Sequence, residues 1–253
     1  MTRIELEHGS LEVLDLPGDA PAVVLLHEGL GSVRLWRDFP AALAEATGAR
    51  VVAFSRFGHG DSDPPPRPRT PRFMHQEALD VLPAVLRTID IDEPVLVGHS
   101  DGASIALIHA AVHPVRAVVA IAPHVFVEDM CLAEIREAKR AYEVEGLRAR
   151  MARHHRDPDA AFYGWNDVWL HPEFPRWDIT DVLPEITCPV LLIQGEHDQY
   201  GTTAQLDAIE ARVSGPVDRM HPSARHAPHL EAPEETLTAT ASFVRRIADR
   251  LHH

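Results

Sequence analysis

The feature that most constrains this chain is a rhythm. Short apolar runs without polar alternation recur along it: Val23–Leu26, Val51–Phe54, Val95–Val97, Ala117–Ile121 and Val190–Ile193. Runs of this kind suit strands covered on both faces, as in a parallel sheet. Between them lie segments with helical spacing of apolar residues: Trp36–Thr47, Phe73–Ile89, Ala103–His113, Thr203–Val213 and Glu234–Leu251. Strand and helix in alternation predict an α/β fold: a mostly parallel central sheet, right-handed crossovers and helices on both faces. The first residues alternate instead (Ile4, Leu6; Leu11, Val13), which predicts an antiparallel hairpin at a sheet edge.

The 253 residues are expected to form one domain over 1–253. Two segments break the rhythm. Asp61–Pro71 carries PPPRPRTP, read as a stiff extended loop. About 124–185 shows no clear strand. It holds a charged helix near Leu132–Met151 and an aromatic group of Phe162, Tyr163, Trp165, Trp169, Phe174 and Trp177. This segment is read as a helical lid insertion whose aromatics wall a pocket or pack the insertion on the body. Its basic residues between Arg136 and Arg156 read as a solvated helix face, with steering of an anionic substrate as the alternative.

Composition removes several classes. Acidic residues number 38 against 24 basic, a net charge of −14, so no nucleic-acid partner is expected. Two cysteines, Cys131 and Cys188, make neither a disulfide scaffold nor a thiolate zinc cluster, which fits a reducing, cytoplasmic setting. MTRIELEHGS has no apolar run, and no stretch approaches the ~20 apolar residues of a membrane span, so no signal peptide and no membrane are expected. The chain is read as a monomer or homodimer. The unusual count is 17 histidines. They raise the question of metal, catalysis or compositional drift. His154-His155 and the set His221, His226, His229 lack a ligand frame and no HExxH occurs, so no metal and no cofactor are expected.

The strongest chemical signal is Gly98-His99-Ser100-Asp101-Gly102, between the strand PVLV and the helix ASIALIHAAV. G-x-S-x-G at a strand-to-helix turn is the context of a nucleophile elbow. The serine occupies a sharp, strained turn, and flanking glycines let helix and strand approach closely. The helix start aims free amides at a reacting oxygen. A second signal, His27-Glu28-Gly29-Leu30-Gly31-Ser32, follows an earlier strand. The amide of Gly29, with Leu30 as the alternative, is the candidate to join the amide of Asp101 in an oxyanion hole. VLLIQGEHDQYG offers Asp198, with Glu196 second, as the carboxylate that orients an imidazole. RHAPHLEAPEE offers His226 as the base, with His229 and Glu231 in support. Leu30, His99, Trp165 and Trp169 are the candidate substrate-binding residues.

HEGLGS, SRFGHGDSD, VLVGHSDGAS, ITCPVLLIQGEHD and RHAPHLEAPEE fall in one order along most of the chain, and on them it resembles the α/β-hydrolase superfamily in its lidded, single-domain form. The resemblance implies a cofactor-free serine hydrolase acting on a small-molecule ester, thioester or lactone through Ser100, Asp198 and His226. A carbon–carbon bond hydrolase of vinylogous diketones, an acyltransferase or a perhydrolase on the same three residues, and a ligand receptor with vestigial activity, are the other readings. The chain departs from the family at Glu28, where many relatives have glycine. Facing inward, that carboxylate would oppose an oxyanion, so it is expected to point away or be paired. Arg225 replaces a frequent glycine before the histidine. Asp101 places a second carboxylate after the serine, where it could raise the histidine's pKa, exclude anionic substrates or face the helix.

Overall fold

A computed structural model describes residues 1–250. Residues 251–253 lie outside it, and with them the last residue of the helix expected to reach Leu251. Eight strands form one sheet, in the order β1-β2-β4-β3-β5-β6-β7-β8. The expected hairpin is present: β1 (Thr2–Leu6) and β2 (Gly9–Leu16) are antiparallel, with β1 at the edge. The strands β3 (Asp19–Leu26), β4 (Ala49–Phe54), β5 (Val95–His99), β6 (Ala117–Ile121), β7 (Val190–Ile193) and β8 (Val217–Met220) run parallel.

The lack of polar alternation now has its cause. Both faces of the strands are buried. Val24, Leu26, Leu96, Val118, Ala120, Val190 and Leu192 face one apolar cluster. Their neighbours Val23, Leu25, Val95, Val97, Val119, Leu191 and Ile193 face the other. The second face is covered by α1 (Phe39–Thr47) and, at the far end of the chain, α10 (Pro233–Asp249). The first face is covered by α2 (Phe73–Gln76), α3 (Leu82–Thr88) and α4 (Asp101–Ala110).

The helical expectations hold in place but differ in detail. Phe73–Ile89 is not one α-helix, because a π-helical turn at Glu77–Val81 separates α2 from α3. Pro83 follows that turn and has no N–H to continue the regular ladder. The charged helix near Leu132–Met151 is two: α5 (Asp129–Val144) and α6 (Leu147–Met151). Gly146 breaks it in the left-handed region, at φ +77°. α7 (Pro158–Trp169) completes this segment between β6 and β7, and α8 (Ala204–Glu210) and α9 (Pro228–Glu231) follow β7 and β8. Phe162, Trp165, Trp169, Phe174 and Trp177 join the apolar cluster of the first face. Among the basic residues of the segment, Arg140 pairs with Glu137 and Arg148 with Asp159 at the surface. Among the described residues no helix is long and apolar enough to cross a membrane.

The tightest contact is between α4 and the strands. A Cβ on Gly102 would lie 2.0 Å from the Leu26 carbonyl oxygen, and one on Gly98 2.2 Å from the Gly102 carbonyl oxygen. Neither position has room for a methyl group without moving backbone. Gly102→Ala is therefore expected to destabilise the fold by about 2 kcal/mol or more. Gly164→Ala in α7, where the nearest atom would be an Arg69 side-chain nitrogen at 3.4 Å, serves as the tolerated control. Equal urea midpoints for the two variants would contradict this account.

Candidate active site

Parallel strands bring their C-terminal ends to one edge, and the loops leaving β3, β5, β6, β7 and β8 meet there. β5 delivers Ser100. Its φ of 53° lies in the left-handed region, which costs a non-glycine residue on the order of 1–3 kcal/mol. Tight packing of α4 holds the strain, and α4 begins with the residue after the serine.

The loop after β8 brings His226 to the serine and the loop after β7 brings Asp198. The Ser100 Oγ lies 2.9 Å from His226 Nε2, and His226 Nδ1 lies 2.8 Å from Asp198 Oδ1. A carboxylate only accepts, so Nδ1–H donates to Asp198 and Nε2 is left to accept the serine proton. Asp198 Oδ1 also accepts the Tyr200 amide at 2.8 Å, and Oδ2 accepts from Gln194 at 3.3 Å. Burial alone would push the Asp198 carboxyl up, but the His226 and Tyr200 hydrogen bonds more than reverse this and hold it below its ordinary range. Glu196 takes no part in the chain of hydrogen bonds.

A cavity of about 100 Å³ adjoins the serine, lined by Gly29, Leu30, Asp101, Trp165 and Trp169 among others. Leu30, Trp165 and Trp169, the sequence's candidate substrate-binding residues, thus lie on the wall of this cavity. Gly29 has no side chain because Trp165 fills the space; a Cβ would meet its Nε1 at 2.1 Å. Among the described residues, the amides of Gly29, Leu30 and Asp101 donate to no protein acceptor.

His99 corrects the sequence reading. The sequence places it against the substrate, but it is buried and does not line the cavity. Its Nε2–H donates to the carbonyl oxygen of His226 at 2.7 Å, and its Nδ1 faces Glu28 Oε2 at 3.4 Å. The register of β5 decides this, since residues on either side of Ser100 point away from it. Burial opposes charge on both partners, yet their contact prevails. The His99 imidazole is raised and the Glu28 carboxyl lowered. Glu28 is therefore paired, as expected. Asp101 turns its carboxylate to Trp169, whose Nε1–H donates to Oδ1 at 3.2 Å, while Oδ2 stands 4.0 Å from Arg56. Burial pushes the Asp101 carboxyl up, against the pull of Arg56 and Arg69. The Arg225 amide donates to Glu231 at 2.6 Å, and His229 packs on His99 and Trp36, so both supporting residues brace the His226 loop.

Sequence reasoning missed His124, Cys131, Ile135 and Tyr200, which also line the cavity. His124 and Tyr200 sit just past the C-terminal ends of β6 and β7. That position was the available signal. Among the described residues no three His, Cys, Asp or Glu side chains are gathered so as to hold a metal ion.

The buried imidazoles give the molecule a pH dependence. Burial pushes His124 and His229 down to about 3 and His109 to about 4, and lowers His27, His59 and His155. Unfolded, these rings titrate near pH ~6.5. Below that pH the unfolded chain binds more protons, so stability falls with pH by up to about 1.4 kcal/mol per pH unit for each ring. His99 has the opposite sign. Its contribution is complete in acid and is lost as pH rises through its raised pKa, so it offsets part of the fall. Melting curves between pH 7.5 and 5 are expected to show Tm dropping by roughly 10 °C or more. A flat profile would mean that these rings ionise freely in the folded state.

Comparison with known proteins agrees with the fold. The profile of the Alpha/beta hydrolase family matches residues 23–239. The mouse protein named Serine hydrolase BPHL is 28% identical over 232 residues, covering 85% of this chain and 76% of that one. The 2-(acetamidomethylene)succinate hydrolase of Mesorhizobium japonicum is 26% identical, covering 96% and 94%. Among solved structures, an enol-lactonase from Burkholderia xenovorans LB400 superposes with a TM-score of 0.77 at 21% identity, covering 96% of this chain and 99% of that one. With its family profile spanning most of the sheet and the loops that carry Ser100, Asp198 and His226, this chain belongs to the alpha/beta hydrolase family.

Proposed function

We propose that the protein is a serine hydrolase cleaving a small carboxylic ester, or a related thioester or lactone, through an acyl-enzyme. One observation carries the reading: a serine in a strained turn, hydrogen-bonded through His226 to a buried Asp198, opens on a cavity flanked by free amides. Relatives named as a serine hydrolase and as a hydrolase of an acylamino compound support it.

The chemistry follows from the donors and acceptors. His226 Nε2 takes the Ser100 proton as Oγ attacks the carbonyl carbon. The carbonyl oxygen gains charge and accepts from the amides of Gly29 and Asp101. Asp198 stabilises the imidazolium that forms. His226 then protonates the leaving oxygen, and the C–O bond breaks. A water repeats the sequence in reverse roles and frees the acid and Ser100.

The helical segment 124–185 acts as a lid in this reading, since its residues Cys131, Ile135, Trp165 and Trp169 line the cavity beside the serine. A space of about 100 Å³ with two tryptophan walls suits short acyl groups.

Ser100→Ala should abolish ester turnover and labelling by a fluorophosphonate probe. Labelling that persists at another serine would remove Ser100 from the mechanism. Asp198→Asn keeps the shape but lets the imidazole take the wrong tautomer, with kcat expected to fall about 10³–10⁴-fold. The unmodified protein should prefer p-nitrophenyl acetate to the octanoate. Trp165→Ala should shift that preference toward the octanoate, and an unchanged ratio would show that this wall does not bound the acyl group.

A further inference from the structure

The turn after β3 is held in an unusual way. Three consecutive carbonyl oxygens each accept from an imidazole N–H: Glu28 from His27 Nδ1 at 2.7 Å, Gly29 from His59 Nε2 at 2.9 Å and Leu30 from His155 Nε2 at 3.0 Å. The other nitrogen of each ring accepts. His27 accepts the Arg56 amide at 3.0 Å, His59 the Arg69 guanidinium at 3.0 Å and His155 the Gly60 amide at 3.1 Å. A ring that donates on one side and accepts on the other is neutral and fixed in one tautomer. Burial, which lowers all three pKa values, agrees.

Peptide planarity turns these anchors into aim. Fixing a carbonyl fixes the N–H of the next residue, which points the opposite way. Holding Glu28 aims the Gly29 amide, and holding Gly29 aims the Leu30 amide. Holding Leu30 aims the Gly31 amide, which closes the turn onto Glu28 at 3.1 Å.

His27 and His59 come from the sheet side, from the end of β3 and the loop after β4. His155 comes from the helical segment between β6 and β7. We propose that His155 is a positioning residue for this turn: it makes the helical segment part of the oxyanion-binding apparatus, which is complete only while that segment sits on the sheet. The inference rests on the hydrolase reading for its catalytic consequence, but the anchoring itself does not.

The neighbouring contacts fix the register of this union. The Arg156 amide donates to the Gly60 carbonyl at 2.9 Å and its guanidinium to the Ser62 carbonyl at 2.7 Å. Gly60, at φ +53°, has no room for a side chain, since a Cβ would meet Glu12 Oε2 at 2.2 Å. The loop therefore cannot shift to follow a displaced His155. From the same segment, Trp165 seals the Gly29 side of the turn.

The test uses the whole protein with His155→Leu and His155→Gln. A glutamine amide can accept from Gly60 and donate to Leu30, while leucine does neither. His155→Leu is expected to lower kcat roughly 10- to 100-fold with KM nearly unchanged, the sign of an interaction expressed in the transition state. His155→Gln should recover most of the loss. Native-state hydrogen exchange should accelerate at least about tenfold at Gly31 in the leucine variant, and not across the sheet. Two results would overturn the proposal: unchanged exchange at Gly31, or equal loss in both variants with exchange rising throughout the chain. Absence of ester turnover in the unmodified protein would instead remove the hydrolase reading, and the exchange measurement would still decide the role of His155.

Discussion

The contact on which the rest depends is the approach of α4 to β3 at Gly102. Ser100 sits in a backbone conformation that a free peptide avoids, and only packing keeps it there. With α4 pressed against the end of β3, the serine projects beyond the sheet edge and the first amide of α4 lies beside it. The same approach places the turn after β3 within reach of the serine. Parallel pairing of β3 with β5 and of β5 with β6 then fixes how far each neighbouring loop extends. A loosened α4 would lose the strained turn, the free amide and the spacing to His226 together.

Much of this was legible in the sequence because it depends on local patterns. Runs such as Val23–Leu26 and Ala117–Ile121 are apolar throughout since both faces of the sheet are covered. The G-x-S-x-G turn announces itself because its glycines are steric necessities. The order Ser100, Asp198, His226 follows from the order of strands. What was not legible depends on rotation and register. His99 lies next to the serine in sequence, but strand geometry sends it to the other side. His124 and Tyr200 gain their place in the cavity only when the strand ends are assembled. The π-helical turn at Glu77–Val81 and the break at Gly146 show the limit of periodicity alone, which gives a helix its face but not its continuity.

The histidine count is the case where composition raised the right question and could not answer it. A buried imidazole is a compact group that donates at one end and accepts at the other. His27, His59 and His155 use it to join backbone segments 29, 30 and 125 residues apart. Asparagine or glutamine could make such bridges, but with a floppier stem and more donors to satisfy. The cost is sensitivity to acid, since a proton on any of these rings sets a second N–H against a donor that is already there. The partners lie far along the chain, so no window of sequence shows the pattern.

His99 differs from these three in having no donor at either nitrogen. The His226 carbonyl and the Glu28 carboxylate each call for an N–H, so the ring satisfies both only as an imidazolium. That settles how the chain accommodates an acid where a glycine is usual. An unpaired carboxylate on this turn would repel negative charge developing on a substrate oxygen, and a low-dielectric cavity would magnify the effect. With His99 charged beside it, the pair presents a dipole rather than a net charge. Gly31 makes that arrangement possible, since a Cβ there would lie 2.5 Å from Glu28 Oε2 and drive the carboxylate away from His99. The glycine lost at 28 is thus matched by one required at 31, and the imidazole that neutralises Glu28 through Nδ1 holds the His226 backbone in place through Nε2.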